Sequence, residues 1–351
     1  MFLALKEMKK EKLRYGLVIG VVLLVAYLIF MLSALAQGLS GQNTAAVNSW
    51  QSQSIMMSKD ANGNLAQSML TAKDLPVQSK QNKTDRVGLA QGILKVGDAR
   101  QAATFVGLQK GATIRQTIQL TEGRLNRGDH EIVLSDALRR AGFKLNQEVK
   151  MGMFTDHYRV VGFAKAAFYN MSPVVYGDLS DWAAIKGVNS EFVGSGLISQ
   201  ENQHAEKSNE QILNKNELFN KMPGYSAQNM TFAFMIGFLV VISIVIVAIF
   251  LYILTMQKIE NLAVLRAQGI PTSYLLKNTL AQTMLIMLIA VGLGTFLAAL
   301  TGMVVPMAVP MQFDPKLMSV SAILLVLTGL FGAIIPMRII AKIDPISVIG
   351  G

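Results

Sequence analysis

The stretch Tyr15–Ala36, YGLVIGVVLLVAYLIFMLSALA, decides what kind of chain this is. It carries no charged residue, and it is long enough to cross the hydrocarbon core of a bilayer, which takes about 20 apolar residues as helix. Five cations stand just before it, Lys6, Lys9, Lys10, Lys12 and Arg14, and it closes on Ala34-Leu35-Ala36. Secretory leaders share that layout, but their apolar core runs to about 7–15 residues. The length therefore predicts a retained anchor.

Working outward, the charge-free run extends over Tyr15–Ser58, and three more follow at Met222–Gln257, Asn278–Phe313 and Leu317–Met337. Of the 351 residues, 52% are hydrophobic and only 15% charged, against about 25% charged in soluble domains. Inside these runs we place spans at 16–36, 232–254, 279–302 and 320–337. In lipid every backbone group must bond internally, so each is expected to be helical. Lys258, Arg266 and Lys277 lie in the connection 255–278, and Arg338 and Lys342 in the tail 338–351. With the cations of segment 1–15 they all fall on one side of four threaded spans, the side that Lys and Arg excess marks as cytoplasmic. Both termini are then cytoplasmic, 303–319 is an outer loop, and 37–231 is an outer domain. Only Glu7, Glu11, Glu260 and Asp344 offset these cations, so most of the net +10 reports topology and not nucleic-acid binding.

The segment 37–231 is long enough for an independent fold. Gln37–Ser58, rich in Gln, Asn and Ser, can continue the first helix outward as a stalk. Thr113–Leu120 alternates Ile114, Ile118 and Leu120 with polar residues, as a half-buried strand does. Glu131–Leu134 reads as a short strand, and Asp136–Ala141 as a short helix capped by Ser135 and stopped by Gly142. Val149–Phe154 and Tyr158–Phe163 read as a strand pair, and Ser208–Lys221 as a helix before Pro223-Gly224. The expectation is an α-helical membrane protein with four transmembrane helices plus a mixed α/β extracytoplasmic domain between helices 1 and 2.

Several chemistries have no footing. There is no Cys, no G-x-x-x-x-G-K-[ST], no G-x-S-x-G and no H-E-x-x-H, so no thiolate site, P-loop, nucleophile elbow or zincin helix is encoded. His130, His157 and His204 are scattered. Asp129-His130-Glu131 would point to opposite faces of an extended segment, so no metal site is predicted. No ionisable residue sits at the middle of a span, which speaks against an ion-coupled transporter. Gly294, Ala298 and Gly302, with Gly16 and Gly20 and with Gly329 and Ala333, supply small faces for helix packing, within a protomer or between two.

The connection between the second and third spans carries the most specific signal. Ile259, Leu262, Ala263, Leu265 and Arg266 form a short amphipathic helix, Gly269 and Pro271 end it, and Thr272 or Ser273 can cap the next span. A structured helix in so short a loop suits either a cytoplasmic partner or the membrane surface. Lys258–Gly269 resembles the coupling segment of the FtsX/MacB-type ABC transporter permeases, roughly K-I-x-x-I-x-x-L-[KR]-A-x-G. The tail from Lys342 through Asp344-Pro345 is similar to their terminal D-P-[IL]-x-[AV]-[IL], and Glu122 through Gly162 to their E-I-V-L-[SN]-x-x-L-A…Y-x-V-x-G region. The resemblance covers most of the chain, least over 50–110. Within the group, Gly38 after Ala36-Gln37, Tyr169 and the Ile349-Gly350 ending look nearest to the haem-export permeases of Gram-positive bacteria.

The resemblance implies a non-catalytic, homodimeric permease in the cell membrane, bound to two copies of a cytoplasmic ABC ATPase that holds the ATP. The residues it implies for coupling are Lys258, Glu260, Leu262, Leu265, Arg266, Gly269, Asp344 and Pro345. It implies export of a lipophilic toxic compound, haem foremost, driven by mechanotransmission, with no intrinsic cofactor. The competing expectation is an FtsX-like signalling or scaffold subunit that transmits ATPase state to an extracytoplasmic cell-wall or lipoprotein partner. A haem site needs aromatic faces and a soft or phenolate ligand. Trp50, Tyr169 and Tyr225 are the aromatic candidates. Met230, Met307 and Met311 are the thioether candidates, with Met303 in the same row. Arg86, Arg115 or Arg159 are open choices for the propionates.

Overall fold

Four helices are long and apolar enough to cross a membrane: Lys12–Ser49, Tyr225–Met256, Thr272–Val304 and Pro315–Ala341. They belong to a computed structural model that describes residues 2–75, 84–152, 156–205, 207–306 and 309–343. The chain divides into two compact units, Met1–Gly38 with Met230–Gly351, and Leu39–Asn229.

In the membrane unit the first long helix buries Tyr15, Val18, Val22, Ala26, Ile29 and Phe30, a stripe at three- and four-residue spacing. It packs with Val247 and Leu251 of the second helix, Met287, Ala290 and Val291 of the third, and Leu325 of the fourth. Small residues set how closely these helices approach. A Cβ on Gly294 would lie 3.3 Å from the Ala26 Cβ and 3.4 Å from the Leu23 carbonyl oxygen. One on Gly329 would overlap the Met287 side chain, and Phe313 covers Gly302. Gly16 and Gly20 have nothing within 4 Å of that position, so they form no such seam within the chain. Two buried hydroxyls bond back to their own helix backbone: Thr283 donates to the Thr279 carbonyl at 3.0 Å, and Thr328 to that of Leu325 at 2.7 Å. Those bonds satisfy their own donors in an apolar setting, whereas the buried Ser243 hydroxyl of the second helix has no partner among the described residues.

The helix bounds differ from the predicted spans. The first helix runs on without interruption to Ser49, well past Ala36. The fourth starts at Pro315, with the Asp314 carboxylate accepting from the Lys316 N–H at 2.9 Å, an acidic cap followed by a proline at the first helical position. It then breaks at Ala333 between Pro315–Gly332 and Ile334–Ala341. Pro336 accounts for the break, because it has no N–H to return to the preceding turn.

The unit Leu39–Asn229 is mixed α/β. Its strands are β1 (Ser54–Ser58), β2 (Leu70–Thr71), β3 (Thr84–Val96), β4 (Ala99–Leu108), β5 (Leu120–Gly123), β6 (Glu131–Ser135), β7 (Glu148–Met151), β8 (His157–Ala164), β9 (Phe168–Tyr169), β10 (Ser172–Asp178), β11 (Phe192–Gly194), β12 (Gly196–Ser199) and β13 (Glu210–Leu213). The main sheet has the order β13-β1-β12-β3-β4-β10-β6-β8-β5, and β2 with β11 forms a small second sheet. Strand alternation divides the core by face. Val106, Val133 and Val174 join one cluster with Trp50 and Tyr169, while their neighbours Phe105, Ile132 and Val175 join the other with Trp182 and Leu138.

Two sequence expectations fail here. Thr113–Leu120 is not a strand: Ile114–Thr117 is a helical turn, and β5 begins only at Leu120. The Asp85 carboxylate accepts from the backbone N–H groups of Thr113 at 3.0 Å and Ile114 at 2.9 Å, which fixes the turn. Ser208–Lys221 is not one helix, because Ile212 and Leu213 lie on edge strand β13. The helix starts at Lys215 behind a capping box, Asn214 accepting from the Glu217 N–H and Glu217 from the Asn214 N–H, each at 2.9 Å. The Asp136–Arg140 helix does end at Gly142, where φ is +103° and the Phe143 N–H returns to the Leu138 carbonyl.

Candidate coupling and substrate sites

The short helix Ile259–Ala267 is closed by backbone geometry. Gly269 adopts φ +87°, its N–H bonds to the Arg266 carbonyl, and the Ile270 N–H bonds to that of Leu265. This is the Schellman arrangement, and Leu265 and Ile270 both pack against the same small core. Pro271 stands at the cap of the helix Thr272–Val304, so neither Thr272 nor Ser273 fills that position.

The inner face of the coupling helix is apolar. Ala263 is buried with Leu275, Ile340 and Ile343, and Ile259, Leu262 and Leu265 pack against them. Leu262 and Leu265, implied for coupling by the resemblance, are partly buried and join the helix to its own chain. The exposed face is Glu260, Asn261, Val264, Ala267 and Gln268, with Tyr274 beyond the turn. Arg266 donates to the Ile343 carbonyl. Asp344 and Pro345 lie outside the described residues.

Beside this helix sits an ionic cluster. Lys258 Nζ lies 3.3 Å from a Glu7 carboxylate oxygen, 3.7 Å from one of Glu11 and 3.2 Å from the Tyr15 hydroxyl. Gln282 also donates to Glu7, and Arg14 donates to the Gln257 side chain at 2.7 Å. Sequence reasoning treated Glu7 and Glu11 only as offsets to the N-terminal cations. Their four-residue spacing continuing to Tyr15 marked them as one helical face.

The aromatic candidates all lie in the Leu39–Asn229 unit. Trp50 and Tyr169 are each 1% exposed inside one apolar cluster, against which Tyr225 packs. The hairpin carrying Tyr169 turns through Asn170 and Met171, both in left-handed backbone, whose N–H groups bond to the carbonyls of Asn43 and Gln42. Burial pushes the Tyr169 phenol well above its ordinary range, against a weaker pull from a backbone hydrogen bond at Ala66. A phenol in that setting stays neutral, and Trp50 and Tyr169 both stand inside the core of this unit. Tyr225 keeps a partly exposed ring, with its hydroxyl 3.0 Å from Ser40 Oγ. Among the methionines Met230 is 70% and Met303 82% exposed. Met311 is partly buried, and Met307 lies outside the described residues.

The arginines divide similarly. Arg115 is committed to a buried pair with Asp178 at 2.5 Å and to the carbonyls of Leu108 and Asn126. Arg159 is exposed, and Arg86 reaches Gln109 at 3.4 Å. An open cleft of roughly 730 Å³ is lined by Arg86, Lys110, Asp129, His130, Asp178 and Asp181. His130 turns edge-on to Tyr158 with ring centroids 5.5 Å apart. Glu131 turns to Arg124 at 2.5 Å, a bond that with the Arg127 and Gly128 N–H groups lowers its carboxyl to about 2. Among the described residues no group of His, Asp and Glu is arranged to hold a metal ion.

Two family models match this chain: the MacB-like periplasmic core domain over residues 15–203 and the FtsX-like permease C-terminal region over 233–345. The chain belongs to the FtsX/MacB-type permeases. It is a multi-pass membrane protein and a permease component of a type VII ABC transporter. Its relatives include proteins named hemin transport system permease protein HrtB from Staphylococcus haemolyticus and Staphylococcus epidermidis. Each is 25% identical to it over 100% of this chain and 99% of its own length. Among solved structures, the periplasmic region of MacB from Actinobacillus actinomycetemcomitans aligns at TM-score 0.35 and 19% identity, covering 48% of this chain and 92% of that one. The extracellular domain of the transporter YknZ from Gram-positive bacteria aligns at 0.34 and 13%, covering 46% and 99%.

Proposed function

We propose that the permease is the membrane subunit of an efflux pump for a lipophilic toxic compound, haem foremost, and that a separate ATPase drives it by mechanotransmission. End-to-end alignment with permeases named for hemin transport is the observation that carries the substrate. The drive is supported by the short helix Ile259–Ala267, packed on one face and exposed on the other, and by the absence of ionisable groups at the middle of the spans. In this reading the permease works as a homodimer with two ATPase copies. The termini and the coupling helix lie in the cytoplasm, and the unit Leu39–Asn229 lies outside. The ATPase meets Glu260, Asn261, Val264 and Ala267, with Lys258, Arg266 and Gly269 holding that face in place. Thioether ligands for the iron come from the exposed Met230 or from Met311, while the flat ring enters laterally from the lipid.

The test is a haem titration of the purified full-length chain in detergent, followed by its visible absorbance. A Soret shift that saturates at a defined ratio, and weakens in the Met230→Leu/Met311→Leu variant, is the expected result. No saturable shift would remove haem as the substrate.

A further inference from the structure

The N-terminal helix Phe2–Lys10 and the start of the long helix after it sort their charges by face. Glu7 and Glu11 turn inward to Lys258, and Gln282 adds a hydrogen bond to Glu7. Their stripe continues into the buried residues Tyr15, Val18 and Val22. Arg14 joins this side, pairing with Glu11 at 3.4 Å, while Lys6, Lys9, Lys10 and Lys12 are exposed. The two acids of this segment therefore face Lys258 and Arg14, away from the arc that carries Lys9, Lys10 and Lys12.

Position along the helix matters as much as sign. Lys12 and Lys9 precede Gly16, where the uncharged span begins, by about 6 and about 10 Å along the axis. The polar layer flanking each side of a bilayer core is about 5–8 Å deep. Leu13, between Lys12 and Arg14, is 91% exposed, and Leu17 is 57% exposed. The cationic face is thus continuous with an apolar one, a combination that suits a bilayer surface better than an acidic protein.

We propose that the face formed by Lys6, Lys9, Lys10 and Lys12 binds anionic phospholipid headgroups, and that Lys258 keeps it cationic by holding Glu7 and Glu11 on the other side. Clusters of Lys and Arg next to a span attract anionic lipid through their summed charge. Restoring two carboxylates to the outer face would halve that charge.

Lipid selectivity of the full-length chain, reconstituted in phosphatidylcholine bilayers, tests this with spin-labelled phosphatidylglycerol against spin-labelled phosphatidylcholine. The anionic lipid should associate at least about threefold more strongly, and about 0.5 M salt should bring the ratio toward one. The variant Lys6→Gln/Lys9→Gln/Lys10→Gln/Lys12→Gln should lose most of the preference. Lys258→Met removes no outward cation and should lower the ratio part-way. A ratio of one in the unaltered chain overturns the proposal, as does a ratio that survives the four substitutions. So does a loss of equal size in Lys277→Gln/Arg338→Gln, because selectivity would then lie elsewhere. If the four substitutions weaken only ATPase binding, the surface belongs to a protein partner and the lipid assignment fails.

Discussion

Lys258 and Glu7, separated by 251 positions in the chain, meet at 3.3 Å beside the coupling helix. The pair is partly buried, with side-chain exposures of 17% and 29%, so it is better shielded than a surface ion pair. Removing either partner leaves the other charge poorly solvated. Lys258→Met and Glu7→Gln should each lower coupled transport, and the double variant should lose less than the two losses combined. A double-mutant cycle on substrate-stimulated ATPase activity of the reconstituted complex measures this. Additive losses would show that the two residues act separately.

The two faces of the coupling helix predict opposite outcomes for one kind of substitution. Val264 is 43% exposed, so Val264→Asp should leave the chain folded while weakening ATPase docking at least about tenfold. Leu262→Asp puts a carboxylate against Ala263, Leu275 and Ile340 and should cost roughly 2–4 kcal/mol of local stability. Detergent thermal-shift measurements beside pull-down of the ATPase separate the two. Equal thermal shifts would mean that Leu262 does not pack inward.

Gly329 and Gly16 make a matched pair inside the membrane unit. A side chain at Gly329 meets Met287, whereas one at Gly16 meets nothing within 4 Å. Gly329→Leu should lower the thermal midpoint of the full chain by several degrees through overpacking, about 1–3 kcal/mol, and Gly16→Leu should leave it nearly unchanged. The same loss in both would place Gly16 in an interface with a second copy.

Lys186 gives a pH dependence. Its ammonium lies 5.1 Å from the Trp182 ring and donates to the Ala66 carbonyl at 2.7 Å, and burial lowers its pKa to about 8. The folded state therefore holds fewer protons on this group than the unfolded state between pH 8 and the ordinary lysine value near 10.5. Stability from this group rises as pH climbs through that window. The emission of Trp182 and Trp50 reports unfolding, and the gain of the unaltered chain over Lys186→Met should grow from pH 7.5 to 10. A constant gap would mean that the amine titrates normally.

Much of the architecture was legible because lipid imposes length and neutrality, which residues such as those of Tyr15–Ala36 must meet wherever they pack. The β3–β4 hairpin went unread even though Gly97-Asp98 joins two segments in register from Val87 opposite Leu108 to Val96 opposite Ala99. Its strands are partly continuous apolar runs, not clean alternations, so periodicity was a poor guide. Arg115 stood open as a choice for the propionates because its partner Asp178 comes from a distant strand, β10. The outward face of the coupling helix was hidden for the same reason, since Leu275 and Ile340 decide which residues turn inward. Trp50 and Tyr169 looked like binding groups by chemistry, and only tertiary packing shows them walled in.

The small core around Ala263 joins three pieces of chain: the coupling helix, the foot of the third long helix through Leu275, and the chain's last described helix through Ile340. Only residues 268–271 separate the first from the second. Close-packed side chains are nearly incompressible, so a load applied to the coupling helix is divided at once between two membrane helices. Under the proposed mechanotransmission the foot of the permease would work as a yoke, and a defect in any one of its three arms should slacken the other two.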